Sequence, residues 1–178
     1  MPTANPAAID FLKTRRSRPA KTLTTPVPDR AKVEELLVIA ARTPDHGKLE
    51  PWRFIVLEKA ALQRLARAVP DRGEALGLEP EKIEKMQNQF GTADLAVAVV
   101  FSPKPVIKFP EIEMQYSAGA VCLSLLNAAL ASGWGANWLS GWASHDAEFV
   151  QSHLWLAENE SIAGFIHFGT ETATRPGR

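Results

Sequence analysis

Apolar residues recur along the chain with two different periods, which together predict its helices and strands. Helical spacing predicts helices over residues 7–14, 29–42, 59–69, 80–90, 111–132 and 146–156. Short runs rich in β-favouring residues predict strands over residues 52–57, 95–101, 134–140 and 162–168. This order of elements is typical of a mixed sheet with helices on both faces.

Two of these elements should form the core. Residues 95–101 are continuously apolar, as in a strand that is covered on both faces, so we predict this strand to be central. The segment 111–132 is apolar around most of its circumference and is followed by Gly133, a typical left-handed helix cap. We therefore predict one long buried helix packed on the sheet.

The chain contains no internal repeat and no low-complexity linker, and its length is that of one domain. We predict a single domain over residues 1–178. A polar, glycine-containing loop joins the predicted helices 59–69 and 80–90, and such a loop could lie over a ligand. Residues 70–92 are therefore a candidate lid.

The composition excludes several functional classes. Twenty basic and 20 acidic residues cancel, so we expect neither nucleic-acid binding nor attraction to a membrane. The longest apolar stretch, Ala118 to Ala131, is shorter than the roughly 20 residues of a membrane span, and the amino terminus does not resemble a targeting peptide. Four histidines without metal-ligand spacing predict no metal, and a single cysteine, Cys122, suggests the reducing cytoplasm.

The first candidate site is the turn that follows the first predicted helix. Arg15, Arg16 and Ser17 place two guanidinium groups and a hydroxyl together, and these groups can make bidentate hydrogen bonds to a phosphate or a carbonyl-rich ring. The alternative is a solvated run of charge, because basic residues commonly finish helices.

The second candidate is the loop from Thr43 to Trp52. Prolines at both ends restrict the loop and hold Asp45, His46 and Lys48 in a preorganised edge. The alternative is a histidine that caps a backbone group. Because the chain has neither a Walker loop nor a Gly-x-Gly-x-x-Gly motif after a strand, we expect any nicotinamide nucleotide to bind transiently.

Taken together, these segments resemble the nitroreductase family of flavoproteins, and the likeness spans nearly the whole chain. The shortness of the chain and its Pro-Asp-His loop are most similar to the small YdjA-like branch of NAD(P)H nitroreductases. The matching segments are Arg15-Arg16-Ser17, Ala41 to His46, Pro51 to Phe54, Ser117-Ala118-Gly119, Gly133-Trp134-Gly135, Trp138 to Gly141 and Gly164 to Thr170. The resemblance implies an α+β fold with a largely antiparallel central sheet.

The resemblance also implies FMN at the interface of a homodimer. The implied FMN-binding residues are Arg15, Arg16, Ser17, Arg42, His46, Trp138, Leu139, Ser140 and Arg175. Arg42 and His46 would come from the partner subunit. Residues implied to meet the nicotinamide are Ala128, Ala129, Leu130, Ala131, Ser132 and Gly133. The chain departs from the family pattern at Lys48, Glu50 and Leu139, where other residues are expected.

The activity implied by the resemblance is ping-pong transfer of a hydride from NAD(P)H to FMN, followed by two-electron reduction of a small acceptor such as a nitroaromatic or a quinone. No side chain is required as a catalytic nucleophile, because the cofactor carries the chemistry. The alternative from another class is a non-catalytic protein that stores or senses FMN. A reductive dehalogenase would need a tyrosine in its lid, but Tyr116 lies at the start of the long helix.

Overall fold

A computed structural model describes residues 3–105 and 108–172. The helices of this part are α1 Pro6–Thr14, α2 Arg30–Ala40, α3 Lys59–Ala75, α4 Pro80–Gly91, α5 Glu111–Ala131, α6 Trp142–His145 and α7 Ala147–Leu154, with a 3₁₀ turn at Ala20–Thr22. Its strands are β1 Leu23–Thr24, β2 Trp52–Glu58, β3 Leu95–Phe101, β4 Gly135–Leu139 and β5 Ser161–Glu171. Each predicted helix and strand is present; strand 95–101 has the predicted ends, and the other elements differ from the prediction at one or both ends.

The strands form one sheet in which β3 and β5 are the central members. The order is β1-β5-β3-β2, and β4 also pairs with β5. Each ladder among the described residues is antiparallel, so the parallel pairing that a mixed sheet requires does not occur there. The predicted central position of residues 95–101 is confirmed.

Strand β3 divides the core into two layers because its side chains alternate between the two faces of the sheet. Leu95, Val97 and Val99 pack with buried residues of α2 and α5. On the other face, Ala96, Ala98 and Val100 pack with buried residues of α3, α4 and α7. The predicted α+β class, with helices on both faces, is confirmed.

The long helix α5 ends as the sequence predicts. Gly133 adopts φ +85°, its N–H donates to the carbonyl of Leu130, and the N–H of Trp134 donates to the carbonyl of Ala129. These two bonds form a Schellman motif. By length and composition alone α5 could cross a membrane, but here it packs on the sheet through residues such as Val121 and Leu125.

The predicted end of the third helix is wrong. Helix α3 continues through Pro70 to Ala75, because tertiary packing outweighs the local signal of the proline. The approach to α4 is close: a Cβ at Gly73 would lie 2.6 Å from Cγ1 of Ile83. The sequence also did not predict β1 or α6, which have only 2 and 4 residues and are too short for a periodic pattern.

The candidate lid over residues 70–92 contains parts that are anchored to the rest of the fold. Arg72 donates two hydrogen bonds of 2.8 Å to Asp146, and these bonds lower the pKa of the Asp146 carboxyl. Met86 and Phe90 of α4 belong to the core. Any movement of this segment would therefore have to break an ion pair or expose core residues.

Candidate functional site

A cleft of about 410 Å³ opens between the end of α1, the end of α5 and the end of β5. We call it the arginine cleft. Its walls are Phe11, Thr14, Arg15, Arg16, Arg18, Leu130, Gly133, Trp134, Gly135, Thr170 and Glu171. Two of the predicted FMN-binding residues, Arg15 and Arg16, therefore line one cavity together with Leu130 and Gly133 of the predicted nicotinamide segment.

Local sequence and strand pairing both hold the arginine turn in place. Helix α1 ends at Thr14, and Arg15 already has an extended ψ of 142°. The N–H of Arg18 donates to the carbonyl of Ala136, while the Asn137 amide donates back to the carbonyl of Arg18 over 2.7 Å. The turn after α1 is therefore fixed to β4 rather than free in solvent.

The arginine cleft contains polar atoms whose hydrogen-bonding capacity is not used. Nε of Arg15 is buried and has no partner within the described part of the chain, and neither has Oε1 of Glu171. Nη2 of Arg15 donates to Ser17 Oγ over 3.3 Å, and Arg18 pairs with Glu171 at 3.0 Å. A buried guanidinium N–H without an acceptor is costly. Arg15, Arg16 and Arg18 line the cleft against one acid, so the cleft fits an oxygen-rich anionic ligand.

A second cleft, of about 400 Å³, lies between α2 and α5, and we call it the α2–α5 cleft. Its walls are Phe11, Ile39, Arg42, Thr43, Pro44, Ser124, Asn127, Ala128 and Ala131. Oδ1 of Asn127 is buried and lacks a partner among residues 3–105 and 108–172. Phe11 lines both clefts, so they are neighbours on the surface.

The loop between α2 and β2 is held by bonds at several points. Thr43 Oγ lies 2.9 Å from Ser124 Oγ, and the Asp45 carboxylate accepts from the N–H groups of Leu49 and Glu50. Lys48 and Glu50 adopt φ +55° and +47°, a conformation that is uncommon for residues other than glycine. The hydrogen bonds of Thr43 and Asp45 hold the loop in this conformation.

His46, a predicted FMN-binding residue, lies on this loop and faces the start of α5. Its Nδ1 is 2.7 Å from Glu113 Oε2, and its ring centroid is 3.8 Å from that of Phe109. His46 borders neither of the two clefts. Together with Arg42, it lies outside the arginine cleft of the same chain.

The predicted ring-bordering residues lie at the end of β4. The Trp138 side chain is 38% exposed, Leu139 is half-buried and Ser140 is exposed. Ser17 is exposed beside Arg15. Of the predicted nicotinamide segment, Ala129 is fully buried, Ala128 and Leu130 line the two clefts, and Ser132 is exposed. Arg175 lies outside the described residues.

Some residues of the two clefts did not emerge from the sequence. These are Phe11, Trp134, Asn127 and Glu171. Asn127 carried a usable signal, because a polar amide in an otherwise apolar helix usually has a partner. Phe11 and Glu171 carried none, since an apolar residue on a short helix and an acid at a strand end are ordinary features.

Apolar side chains cover an exposed surface on α1, α2 and α5, which we call the α1–α2–α5 face. Its members are Ile9, Leu12, Val38, Ile39, Ile112, Tyr116 and Leu123, each at least 41% exposed. Helix α1 contributes no buried residue to the chain's own core. Helices α1, α2 and α5 meet around the α2–α5 cleft, and several exposed apolar residues on neighbouring helices are typical of an interface with another protein molecule.

We next consider whether the described residues could bind a metal ion or supply a reactive thiol. Across residues 3–105 and 108–172, no group of three or more His, Cys, Asp or Glu side chains could hold a metal ion. Cys122 is buried, and desolvation raises the pKa of its thiol to about 12. Because the thiolate is the reactive form, Cys122 is an inert core residue.

The fold and the site define a class of protein: an antiparallel α+β protein with a basic cleft beside an exposed apolar face. Comparison of its sequence with known proteins gives the family. The family model described as "Nitroreductase family" matches residues 12–170. The chain belongs to the nitroreductase family, as the resemblance of its motifs predicted.

Relatives from two bacteria show similarity along most of their length. The chain is 31% identical to "Putative NAD(P)H nitroreductase YdjA" of Escherichia coli strain K12, over 92% of this chain and 87% of that protein. It is 33% identical to a "Putative NAD(P)H nitroreductase" of Haemophilus influenzae, over 92% and 88%. The predicted similarity to the YdjA-like branch is confirmed.

Solved structures show that the fold is that of the family. A nitroreductase-like protein from Bacillus cereus superposes with a TM-score of 0.78 at 20% identity, covering 100% of this chain and 92% of that one. A nitroreductase from Desulfovibrio desulfuricans, solved in complex with FMN, gives a TM-score of 0.73 at 21% identity, covering 98% and 94%. At these identities the likeness shows the fold alone.

Proposed function

We propose that this protein is an FMN-dependent NAD(P)H oxidoreductase that reduces a small acceptor. The observation that carries the proposal is the cluster of Arg15, Arg16 and Arg18 in the arginine cleft, where Nε of Arg15 has no partner within residues 3–105 and 108–172. FMN supplies phosphate, carbonyl and ring-nitrogen acceptors, which match guanidinium donors. The similarity to relatives named NAD(P)H nitroreductases supports the same conclusion.

The residues of the chain bind and orient the cofactor in this proposal. Arg15, Arg16 and Ser17 would hold its phosphate or pyrimidine side, and Trp138, Leu139 and Ser140 would border its ring. The chemistry that FMN would supply when bound is uptake of a hydride from NAD(P)H and, in a ping-pong order, two-electron reduction of a nitroaromatic, a quinone or a similar acceptor. No protein nucleophile takes part.

The proposal includes a homodimer. The arginine cleft and the α2–α5 cleft each hold part of the predicted site, and Arg42 and His46 lie outside the arginine cleft of their own chain. A second copy packed on the α1–α2–α5 face would bring both residues to a neighbouring arginine cleft. Burial of this apolar face would also stabilise the association.

The proposal also covers the nicotinamide segment, the lid, the phosphate contact and the localisation. NAD(P)H would approach the segment from Ala128 to Gly133, and Arg175 would contact the FMN phosphate. Residues 70–92 would act as a lid once the ion pair between Arg72 and Asp146 opens. Localisation to the cytoplasm fits the single free cysteine.

The test begins with the absorption spectrum of the purified protein and anaerobic addition of NADH or NADPH. We expect flavin bands that bleach with the nicotinamide and return when a nitroaromatic or quinone is added. Parallel lines in double-reciprocal plots would support the ping-pong order, and intersecting lines would contradict it. Bound flavin that neither nicotinamide reduces would favour a storage or sensing protein, and a protein that cannot bind FMN would overturn both functions.

A further inference from the structure

The Glu113 carboxylate forms a direct link between the start of α5 and the loop that carries His46. Its Oε2 lies 2.7 Å from Nδ1 of His46, although the two residues are 67 positions apart in sequence. A carboxylate can only accept a hydrogen bond, so Nδ1 of His46 carries the proton. The proton position at Nδ1 and the rotation of the ring are therefore set by one neighbour.

We propose that Glu113 is a positioning residue for His46, which it holds with Nε2 directed away from α5 and available to FMN. This inference rests on the proposed function, because it concerns the cofactor of that function. Glu113 itself would not touch FMN. Its role is to fix the tautomer and orientation of the side chain that does, as partners of ligand-binding histidines commonly do.

One face of the His46 ring is covered by packing, while the side chain as a whole remains 56% exposed. The ring of Phe109 lies 3.8 Å from the imidazole, centroid to centroid. The same ring covers Gly47, where a Cβ would come within 2.5 Å of Phe109 Cε2, and Gly47 adopts φ +83°. With Phe109 on one side and Glu113 at Nδ1, Nε2 is the ring atom left to bind a ligand.

The backbone that carries His46 is fixed independently of Glu113. Thr43 is bonded to Ser124 on α5, about three helical turns beyond Glu113, and Asp45 accepts from two N–H groups of its own loop. Rotation about the side-chain bonds of His46 is the remaining freedom, and the bond to Glu113 removes it. A local effect on His46, rather than collapse of the loop, should follow from removing the carboxylate.

Glu113 is also held where a negative charge is favourable. It lies in the first turn of α5, where the unpaired backbone N–H groups give the helix end a partial positive charge. Glu111 lies in the same turn and is likewise exposed, and among the described side-chain hydrogen bonds only Glu113 reaches His46. Glu111 is therefore the matched control for an acidic residue in this turn.

The test measures FMN binding to the full-length protein after removal of its flavin, by quenching of flavin fluorescence. Glu113→Ala should weaken FMN binding by about tenfold, since it removes a hydrogen bond to a charged group. Glu113→Gln should restore binding to within about threefold, because its amide oxygen accepts the same bond. Glu111→Ala should bind FMN as the wild type does.

A double-mutant cycle separates positioning of His46 from a general effect on the helix. His46→Ala should weaken binding, and adding Glu113→Ala to it should cause no further loss. A further loss in the His46→Ala background, a Glu113→Gln variant that binds as weakly as Glu113→Ala, or a Glu113→Ala variant that binds as the wild type does would each overturn the inference.

Nitrogen NMR of the histidines in the flavin-free protein supplies a readout that does not depend on FMN. At a pH where the imidazole is neutral, His46 should be protonated at Nδ1 in the wild type and Glu113→Gln, and should revert to a mixture of tautomers in Glu113→Ala. A wild type without the Nδ1 form overturns the inference while the proposed function stands. A wild type with the Nδ1 form that never binds FMN overturns the proposed function and, with it, the role towards FMN.

Discussion

The indole of Trp138 lies directly against the backbone of Gly164 on the neighbouring strand. A Cβ at position 164 would overlap Nε1 and Cδ1 of the indole. Trp138 is on β4 and pairs with Ile166, so the indole reaches diagonally across β5 to Gly164. The position of Trp138, which is a predicted border of the flavin ring, therefore depends on the absence of a side chain at 164.

The first prediction concerns this contact. Gly164→Ala should displace the Trp138 indole, lower the free energy of unfolding by about 1–3 kcal/mol, and weaken FMN binding several-fold. Chemical denaturation and flavin titration measure the two effects. Gly91→Ala is the control, because its Cβ would meet Ala66 at an ordinary 3.5 Å. Unchanged FMN binding in Gly164→Ala would contradict a role for Trp138 beside the ring.

The second prediction concerns the buried guanidinium. Arg15→Ala should raise the Kd for FMN by about tenfold to a hundredfold, because hydrogen bonds to charged groups contribute about 1.5–3 kcal/mol each. Arg15→Lys should recover only part of the loss, since an ammonium cannot bind in the bidentate manner. Arg30→Ala, at an exposed ion pair on α2, is the matched control. Equal FMN affinity of Arg15→Ala and the wild type would contradict the role of Arg15 in FMN binding, on which the proposed function rests.

The third prediction concerns the α1–α2–α5 face. Leu123→Arg should convert a dimer into a monomer in sedimentation velocity and abolish FMN binding, because a charge on the buried face of an interface is strongly unfavourable. Leu76→Arg is the control, since Leu76 is exposed to nearly the same extent (41% against 44%) at the end of α3, away from this face. A wild type that is monomeric at micromolar concentration and still binds FMN would refute the dimer.

The fourth prediction concerns His167, a buried histidine of β5. Both of its ring nitrogens lack a partner in the described part of the structure, and desolvation lowers its pKa from 6.5 to about 4. Because the unfolded chain binds this proton more readily, the stability contribution is complete above about pH 6.5 and is lost as the pH falls towards 4. The loss should reach about 3 kcal/mol.

Denaturant unfolding between pH 4 and pH 7 checks this dependence. His167→Leu should flatten the curve over that range, whereas His145→Gln, at an exposed position, should keep the wild-type dependence. If His167→Leu loses stability with falling pH as steeply as the wild type does, the dependence comes from other groups.

The fold could be predicted where the local pattern and the final environment agree. The apolar run Leu95–Phe101 forms the central strand because both faces of the sheet are covered. Gly133 ends α5 because a left-handed cap suits glycine. The end of α3 was not predictable, since the proline at position 70 is a local stop signal, whereas the helix continues to Ala75 and buries Gly73 in the folded chain.

The candidate site could be predicted only in pieces. Arg15, Arg16 and His46 were identified by their chemistry and by resemblance to the family. The contacts that define them were not, because the partners lie far away in sequence: Glu113 for His46, and Glu171 for the neighbouring Arg18. Pairings over such distances depend on the register of strands and helices, which no local pattern encodes.

The sequence by itself determined the longer helices and strands, the two-layered core and the family, because periodicity and short motifs are local properties of the chain. Only the tertiary structure decided that Arg15 Nε is buried with no partner in the part of the chain that the structure describes, that Trp138 lies on Gly164, and that Glu113 bonds to His46. Burial and hydrogen-bond geometry depend on what the folded chain brings together, and both contacts join residues that are distant in sequence.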